Sequence, residues 1–227
     1  MKKIIYLALS LSLLLVACSS GGEGDGGTQL RIINAAPDAP AIDAFLEEDL
    51  FIEGRGYLTD SEYESIRSGS RILRVSISNS FTNLVNGSTF LDFDQDYTLI
   101  VMGRINDSVG VLVSDDNSSP NNDRAKIRIF NAISADTADV DVYITSPGAS
   151  LIGRLPNVED LNPEEISAYL ESVSGTYQIR VTPRDALDIV VDSGPVVLRE
   201  GQVRTFVVAD NLGGGAPYRL LALRDRS

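Results

Sequence analysis

The chain has 227 residues, 43% hydrophobic and 22% charged, with 19 basic against 32 acidic residues and a formal net charge of −13. That is enough apolar sequence for one large core or two cores of about 100 residues each. With no histidine, no tryptophan and the single cysteine Cys18, the chain lacks the parts for a Ser-His-Asp triad, a Cys-His pair, a Cys/His zinc site or a disulfide framework, and its negative field opposes nucleic-acid phosphates, so no nucleic-acid partner is expected.

Met1-Lys2-Lys3 is followed by an uncharged run from Ile4 to Ala17, which reads as the cationic and apolar regions of a signal peptide. A spanning helix needs about 20 apolar residues, so this run is short for a permanent anchor, and residues 1–17 are expected to be removed. Leu15-Val16-Ala17-Cys18 resembles the lipobox of bacterial lipoproteins. The resemblance implies cleavage before Cys18, a diacylglyceryl group on its thiol and acylation of the new amino terminus, so that the membrane is a partner through the lipid. Ser19 stands where enterobacterial lipoproteins carry the aspartate of inner-membrane retention. The implied address is the cell envelope, at the outer membrane of a Gram-negative bacterium. Loss of Lys2 and Lys3 takes two basic residues and no acid, leaving a mature net charge of −15.

Residues 18–28 are rich in Gly and Ser and read as a flexible tether. Their Gly22-x-Gly24-x-x-Gly27 follows no strand and opens no helix, so it is not a dinucleotide fingerprint. A second polar stretch, residues 115–124, has the composition of a linker. The segments after these two stretches resemble each other. Leu30-Arg31-Ile32-Ile33-Asn34-Ala35 aligns with Ile127-Arg128-Ile129-Phe130-Asn131-Ala132, Ile42-Asp43-Ala44-Phe45 with Val140-Asp141-Val142-Tyr143, Gly69 through Val75 with Gly175 through Val181, and Tyr97 through Val101 with Arg204 through Val208. The expected division is therefore 29–114 and 125–227.

Within each copy the apolar residues recur with period two in short runs rich in Ile, Val, Leu and Thr. In the first copy this predicts strands at Leu30–Asn34, Ala41–Leu46, Leu50–Gly54, Arg71–Ser78, Thr89–Leu91, Tyr97–Gly103 and Gly110–Ser114. The second copy gives Lys126–Asn131, Val140–Thr145, Ser150–Arg154, Thr176–Thr182, Val196–Leu198, Arg204–Asp210 and Tyr218–Leu223. Tyr97–Gly103 and Phe206–Ala209 are apolar on both faces and should be central. One short helix is expected after Asn162, with Pro163 at its first position, Glu164 and Glu165 at the positive end of its dipole, and Ile166, Tyr169 and Leu170 as its apolar stripe. The expected fold class is all-β, two tandem immunoglobulin-like β-sandwiches with one short helix in the second.

The run Leu30 to Asn34, the Pro37-Asp38-Ala39-Pro40 corner and the apolar-Asp pair Ile42-Asp43 resemble the opening of the bacterial and archaeal family called domain of unknown function 4397. The second copy keeps Asn131, Asp136 and Val140 to Tyr143 but has no proline between Asn131 and Val140. The family brings no catalytic residues to carry over.

Candidate binding residues are Asp43 with Phe45 and Asp141 with Tyr143, each pair sharing one face of a strand. An acid beside an aromatic suits a sugar or a peptide, and an aspartate there also suits hydrogen bonds from a nearby turn. Asp92, Asp94 and Asp96 have the spacing that begins a calcium loop, but Tyr97 and Gly103 stand where an EF-hand needs Gly and Glu. Asp115, Asp116 and Asp123 gather oxygen ligands in the linker, where calcium could stiffen the joint, against the alternative of a solvated connection. There is no Walker loop, Gly-x-Ser-x-Gly or Ser-x-x-Lys. The expected role is a non-catalytic binding or adhesion module without a cofactor, its ligand an envelope protein or polysaccharide, with loops such as Asn34–Pro40 and Asn131–Ala138 presenting it. The alternatives are a structural envelope component with no ligand of its own and, third, a carboxylate-dependent glycan hydrolase.

Overall fold

A computed structural model describes residues 27–134 and 139–225, so Cys18, most of the tether and Asp136 lie outside the described residues. The first half of the chain forms strands β1 (Thr28–Asn34), β2 (Ile42–Leu46), β3 (Asp49–Arg55), β4 (Glu64–Ile66), β5 (Gly69–Ile77), β6 (Asn83–Leu91), β7 (Asp96–Met102) and β8 (Val109–Asp115). The second half forms β9 (Arg124–Ala132), β10 (Val140–Thr145), β11 (Val158–Leu161), β12 (Leu170–Val173), β13 (Gly175–Pro183), β14 (Val191–Leu198), β15 (Val203–Ala209) and β16 (Arg219–Ala222). A 3-10 turn at Ile105–Asp107 is the one helical element among the described residues, and none of their helices is long and apolar enough to cross a membrane.

The strands make four four-stranded sheets. The orders β4-β1-β7-β8 and β3-β2-β5-β6 recur in the second half as β12-β9-β15-β16 and β11-β10-β13-β14. In each half the first and seventh strands pair in parallel and the first and fourth antiparallel. The first two strands lie on opposite sheets, whereas an immunoglobulin sandwich keeps its first two on one sheet. The strand order is thus a different one.

Alternation along the strands explains how the sheets stack. In β1, Leu30 and Ile32 turn into an apolar layer shared with Ala44, Val75 and Leu91 of the outer sheet. Ile127, Phe206 and Val208 do the same against Val142 and Val181 in the second half. The residues in between face the other way. Ile33, Ile100 and Met102 meet Phe130, Ala132 and Val207 in a third layer, between the two inner sheets. The inner strands β7 and β15 are therefore buried on both faces, which is why both faces of their sequences are apolar, and each is internal to its sheet.

Two sequence expectations fail, each for a physical reason. Asn162–Leu170 is not a helix. Ile166 packs into the layer between the inner sheets and Leu170 into the second-half core, so the expected stripe is split between two faces. The backbone is pinned to β9 instead, with Glu164 N donating to Asn131 O, Asn131 N to Glu165 O and Ser167 N to Ile129 O at 2.8–2.9 Å. The cap-like acid closes a turn, where Glu165 Oε2 accepts from Asn162 N at 3.2 Å. Ser150–Arg154 is a turn-rich connection, and the strand that follows β10 and pairs with its outer edge is β11, which begins four residues further on. The short strands β4 and β12 were not foreseen, and β6 and β14 are longer than expected.

Charged residues sit in the middle of the layer between the inner sheets. Arg31 and Arg128 occupy equivalent places in β1 and β9, and both are buried. Arg31 pairs with Asp225 of the second half, and Arg128 with Asp115 of the first. Arg31 Nε also donates to Thr98 Oγ1 at 2.8 Å, and Thr98 donates on to Asp115 Oδ2 at 2.6 Å. Arg128 Nε donates to Thr205 Oγ1 at 2.9 Å, and Thr205 to Asp225 Oδ2 at 2.6 Å. The circuit closes on itself across the interface. Tyr63 and Tyr169 cover the two guanidinium groups, each at 4.6 Å from guanidinium carbon to ring centre. Burial holds both phenols well above their ordinary range, so Tyr63 remains a donor to Asp115 Oδ2, at 2.6 Å.

Removing one partner of such a pair strands the other charge away from water, at a cost of about 3–5 kcal/mol, whereas replacing both by apolar residues is often neutral. Asp115→Ala is expected to lower the unfolding free energy obtained from a urea titration by that amount, and Asp115→Leu with Arg128→Met to recover most of it. A double variant no more stable than Asp115→Ala would contradict this account.

Candidate functional site

The outward face of the first half's outer sheet carries the first candidate pair. Ile42 and Ala44 are buried in the core, so Asp43 and Phe45 of β2 face outward. Strand pairing places Leu50, Phe45, Arg74 and Asn86 in one row across the sheet. The Arg74 guanidinium lies over the Phe45 ring at 3.8 Å and 3.8 Å from Glu48 Oε2. Asp43, Phe45, Leu50, Arg74, Ser76 and Phe81 line a shallow concavity of about 810 Å³. Leu50 is half exposed and Phe81, at the β5–β6 turn, fully exposed.

Asp43 has a structural duty on this face. Its Oδ1 accepts from Gly54 N at 2.8 Å and Ser78 Oγ at 2.6 Å, tying β2 to the end of β3 and to the β5–β6 turn. Asp141 does the same in the second half, with Oδ1 accepting from Asp160 N and Oδ2 from Asp185 N, both at 3.0 Å. Tyr143 lies beside Asp141 at only 4% exposure, and burial pushes its phenol up.

The three linker acids do not converge. Asp115 is held by Arg128 within the interface circuit. Asp116 accepts from Lys126 Nζ at 2.7 Å, and the Asp123 amide donates to Glu200 Oε1 at 3.2 Å. No group of three acidic side chains among the described residues is placed to hold a metal ion. The connection is tied down by side chains, with Asn117 Nδ2 donating to Asp96 Oδ2 at 2.7 Å and Lys126 Nζ to Ser118 Oγ at 3.2 Å. Asp92 serves its own turn, accepting from the Tyr97 hydroxyl at 3.2 Å.

The Asn34–Pro40 corner is mostly buried. Asn34 Nδ2 donates to Pro40 O and Arg55 O at 2.9 and 3.1 Å, and Asn131 repeats this with Leu161 O at 2.9 Å. Pro37 O accepts from Gly213 N at 2.7 Å, so the corner meets the second half. Residues 135–138 of its counterpart lie outside the described residues. Sequence reasoning missed Arg74, Leu50 and Phe81, which reach one face only through strand pairing. It also gave no role to Arg31 and Arg128, although the same arginine inside two apolar strands of a repeat was a visible sign.

Hydrogen bonds from Lys126 and Ser118 lower the Asp116 carboxyl to about 2. A carboxyl depressed on folding stabilises the protein above its unfolded value of about 3.9, and that contribution disappears as pH falls through the folded value. Acid denaturation followed by circular dichroism should therefore show a component between these limits that Asp116→Asn removes. Millimolar calcium should leave the melting temperature unchanged, since Asp115 and Asp116 already have cationic partners.

No curated protein matches the chain. Among solved structures it is similar to the Bacillus anthracis TIE protein, at 11% identity and a TM-score of 0.28 over 81% of this chain and 34% of that one. The chain thus spans about a third of that protein's length. It is also similar to CBMbc (family CBM26) from Eubacterium rectale Amy13K in complex with maltoheptaose, at 10% identity and 0.27 over 88% and 98%. A third is a putative cell adhesion protein from Bacteroides fragilis, at 7% identity and 0.23 over 88% and 98%. At these TM-scores none of the three bears on fold or function. The model of one family, described as "Domain of unknown function (DUF4397)", matches residues 28–143, which takes in the eight strands of the first half, the connection, β9 and most of β10, and with half of the sequence so matched the chain belongs to the DUF4397 family.

Proposed function

We propose that the protein is a lipid-anchored component of the cell envelope, at the outer membrane, that acts by non-covalent binding and without turnover. In this reading residues 1–17 are a signal peptide, Cys18 carries the lipid, and residues 18–28 tether two tandem sandwich domains, 29–114 and 125–227. The lipobox resemblance of Leu15 to Cys18 supports the address, and two or more acyl chains give stable anchoring where one does not.

The observation that carries the binding role is the open outer face of the first half. Phe45, Leu50 and Phe81 are gathered there around Arg74, while Asp43 beside them is engaged in holding strands and turns. The concavity joins these aromatic and aliphatic walls to polar and charged side chains such as Asp43, Glu53 and Ser76, a mixture that suits a binding surface. The ligand would be an envelope protein or a polysaccharide. A purely structural role is the second reading, favoured by the ion pairs that lock the inner sheets together.

Fractionation of cells making the native chain and Cys18→Ser tests the anchor. The native protein is expected in the membrane fraction with an acylated amino-terminal cysteine by mass spectrometry, and the variant in the soluble fraction. Unchanged membrane attachment of Cys18→Ser overturns the lipid anchor. Hydrolysis of a glycan or ester panel, abolished by replacing one carboxylate, overturns the non-catalytic reading.

A further inference from the structure

The face that carries Phe45 and Arg74 exists a second time in the molecule, and there it is covered. Tyr143 pairs with Arg180 across β10 and β13 as Phe45 pairs with Arg74 across β2 and β5. Ile179 and Val181 turn into the core, so Gln178 and Arg180 face outward. Residues 146–157, between β10 and β11, cross this outward face. Gly148 N donates to Gln178 Oε1 at 2.7 Å, and Leu155 and Pro156 share a concavity with Tyr143. Leu151 is buried, yet it belongs to none of the three apolar layers between sheets. Beneath this cover Tyr143 and Arg180 are 4% and 6% exposed. In the first half the corresponding connection is only Glu47–Glu48, too short to cross a sheet, and Leu50 stays 49% exposed.

We propose that the open face of the first half is a docking site for a loop of a partner protein, one that lays an aliphatic side chain and an arginine over Phe45, Leu50 and Phe81 as residues 146–157 lie over the second half. The proposal rests on the binding reading above and names its ligand. Charge selects the same chemistry. Asp43, Glu47, Glu48, Asp49 and Glu53 stand on β2, β3 and their turn, against Arg74. The segment 146–157 contains Arg154 and no acid. An aliphatic side chain gains by leaving water on such a surface, and the arginine lowers the electrostatic cost of approaching it. A sugar stacked on Phe45 would have to displace Arg74, whose guanidinium already covers a face of the ring.

The test is a calorimetric titration of a synthetic peptide with the sequence of residues 146–157 into the chain from residue 18 onward carrying Cys18→Ser. Saturable binding is expected. Leu50→Asp with Phe81→Asp, both exposed positions, should weaken it about tenfold or more, and Arg154→Glu in the peptide should do the same, whereas Leu212→Asp, an exposed change elsewhere, should not. Absence of binding overturns the proposal, and so does binding indifferent to Leu50 and Phe81. A soluble glucan that binds with that sensitivity, where the peptide does not, overturns the protein ligand and leaves the binding role standing. Self-association of the chain in sedimentation, lost in the Leu50→Asp, Phe81→Asp variant, assigns the face to a second copy and overturns the proposal equally.

Discussion

Two guanidinium groups lie in the apolar layer between the inner sheets, and neither has its carboxylate in its own half. A lone charge in such a place costs several kcal/mol even after relaxation. Here the cost is offset only when the halves meet in one register, because Arg31, Thr98, Asp115, Arg128, Thr205 and Asp225 bond in a closed round. An all-apolar layer would bury as much surface, but Ile33, Ile100, Phe130 and Val207 could slide past one another with little to choose between positions. The charged round makes a slipped arrangement expensive. Its expected effect is therefore on the register of the two halves, since replacing a whole buried pair by apolar residues is often neutral for net stability.

With the inner sheets committed to each other, the outer sheets carry what variation the molecule has. Their buried faces are constrained by core packing, and Asp43 and Asp141 fix the loops beside them in the same manner. Their outward faces differ in the connections that flank them, above all in the length of the one after the second strand of each half. A tight turn leaves Leu50 and Phe81 in water, and a long connection buries Tyr143 and Arg180.

Much of this was legible in the sequence, and the parts that were not share a cause. Alternation places β1, β2, β5, β7 and their repeats within a residue or two, because the face a side chain takes in a strand is a local property. The two-faced apolar character of Tyr97–Gly103 gave its central place. What failed was whatever depends on a distant neighbour. Asn162-Pro163-Glu164-Glu165 has the chemistry of a helix start, but that chemistry equally closes a turn when β9 offers its backbone nearby. Leu151 imitates a strand residue because a segment covering a sheet also needs apolar residues, whereas Ile152 beside it is exposed. Asp43 was placed on the right face, yet its donors at Gly54 and Ser78 come from turns the pattern cannot position. The repeat revealed two copies, and no feature of either copy says that its arginine answers to the other's aspartate.

The pairing of Arg31 with Asp225 spans 194 positions of sequence. A ribosome delivers the arginine near the start of the described chain and its counter-ion near the end, so the inner face of β1 waits through nearly the whole of synthesis for its partner. Contacts of such long separation form late, since the loop they close must be ordered first. A product that stops short of Asp225 has no carboxylate there to offer Arg31, so closing the inner sheets over that cation costs several kcal/mol and the face of β1 is left open to water. An incomplete molecule is thus marked by its own instability, and the cell's proteases, which act on the unfolded fraction, have a physical basis for telling it from a finished one.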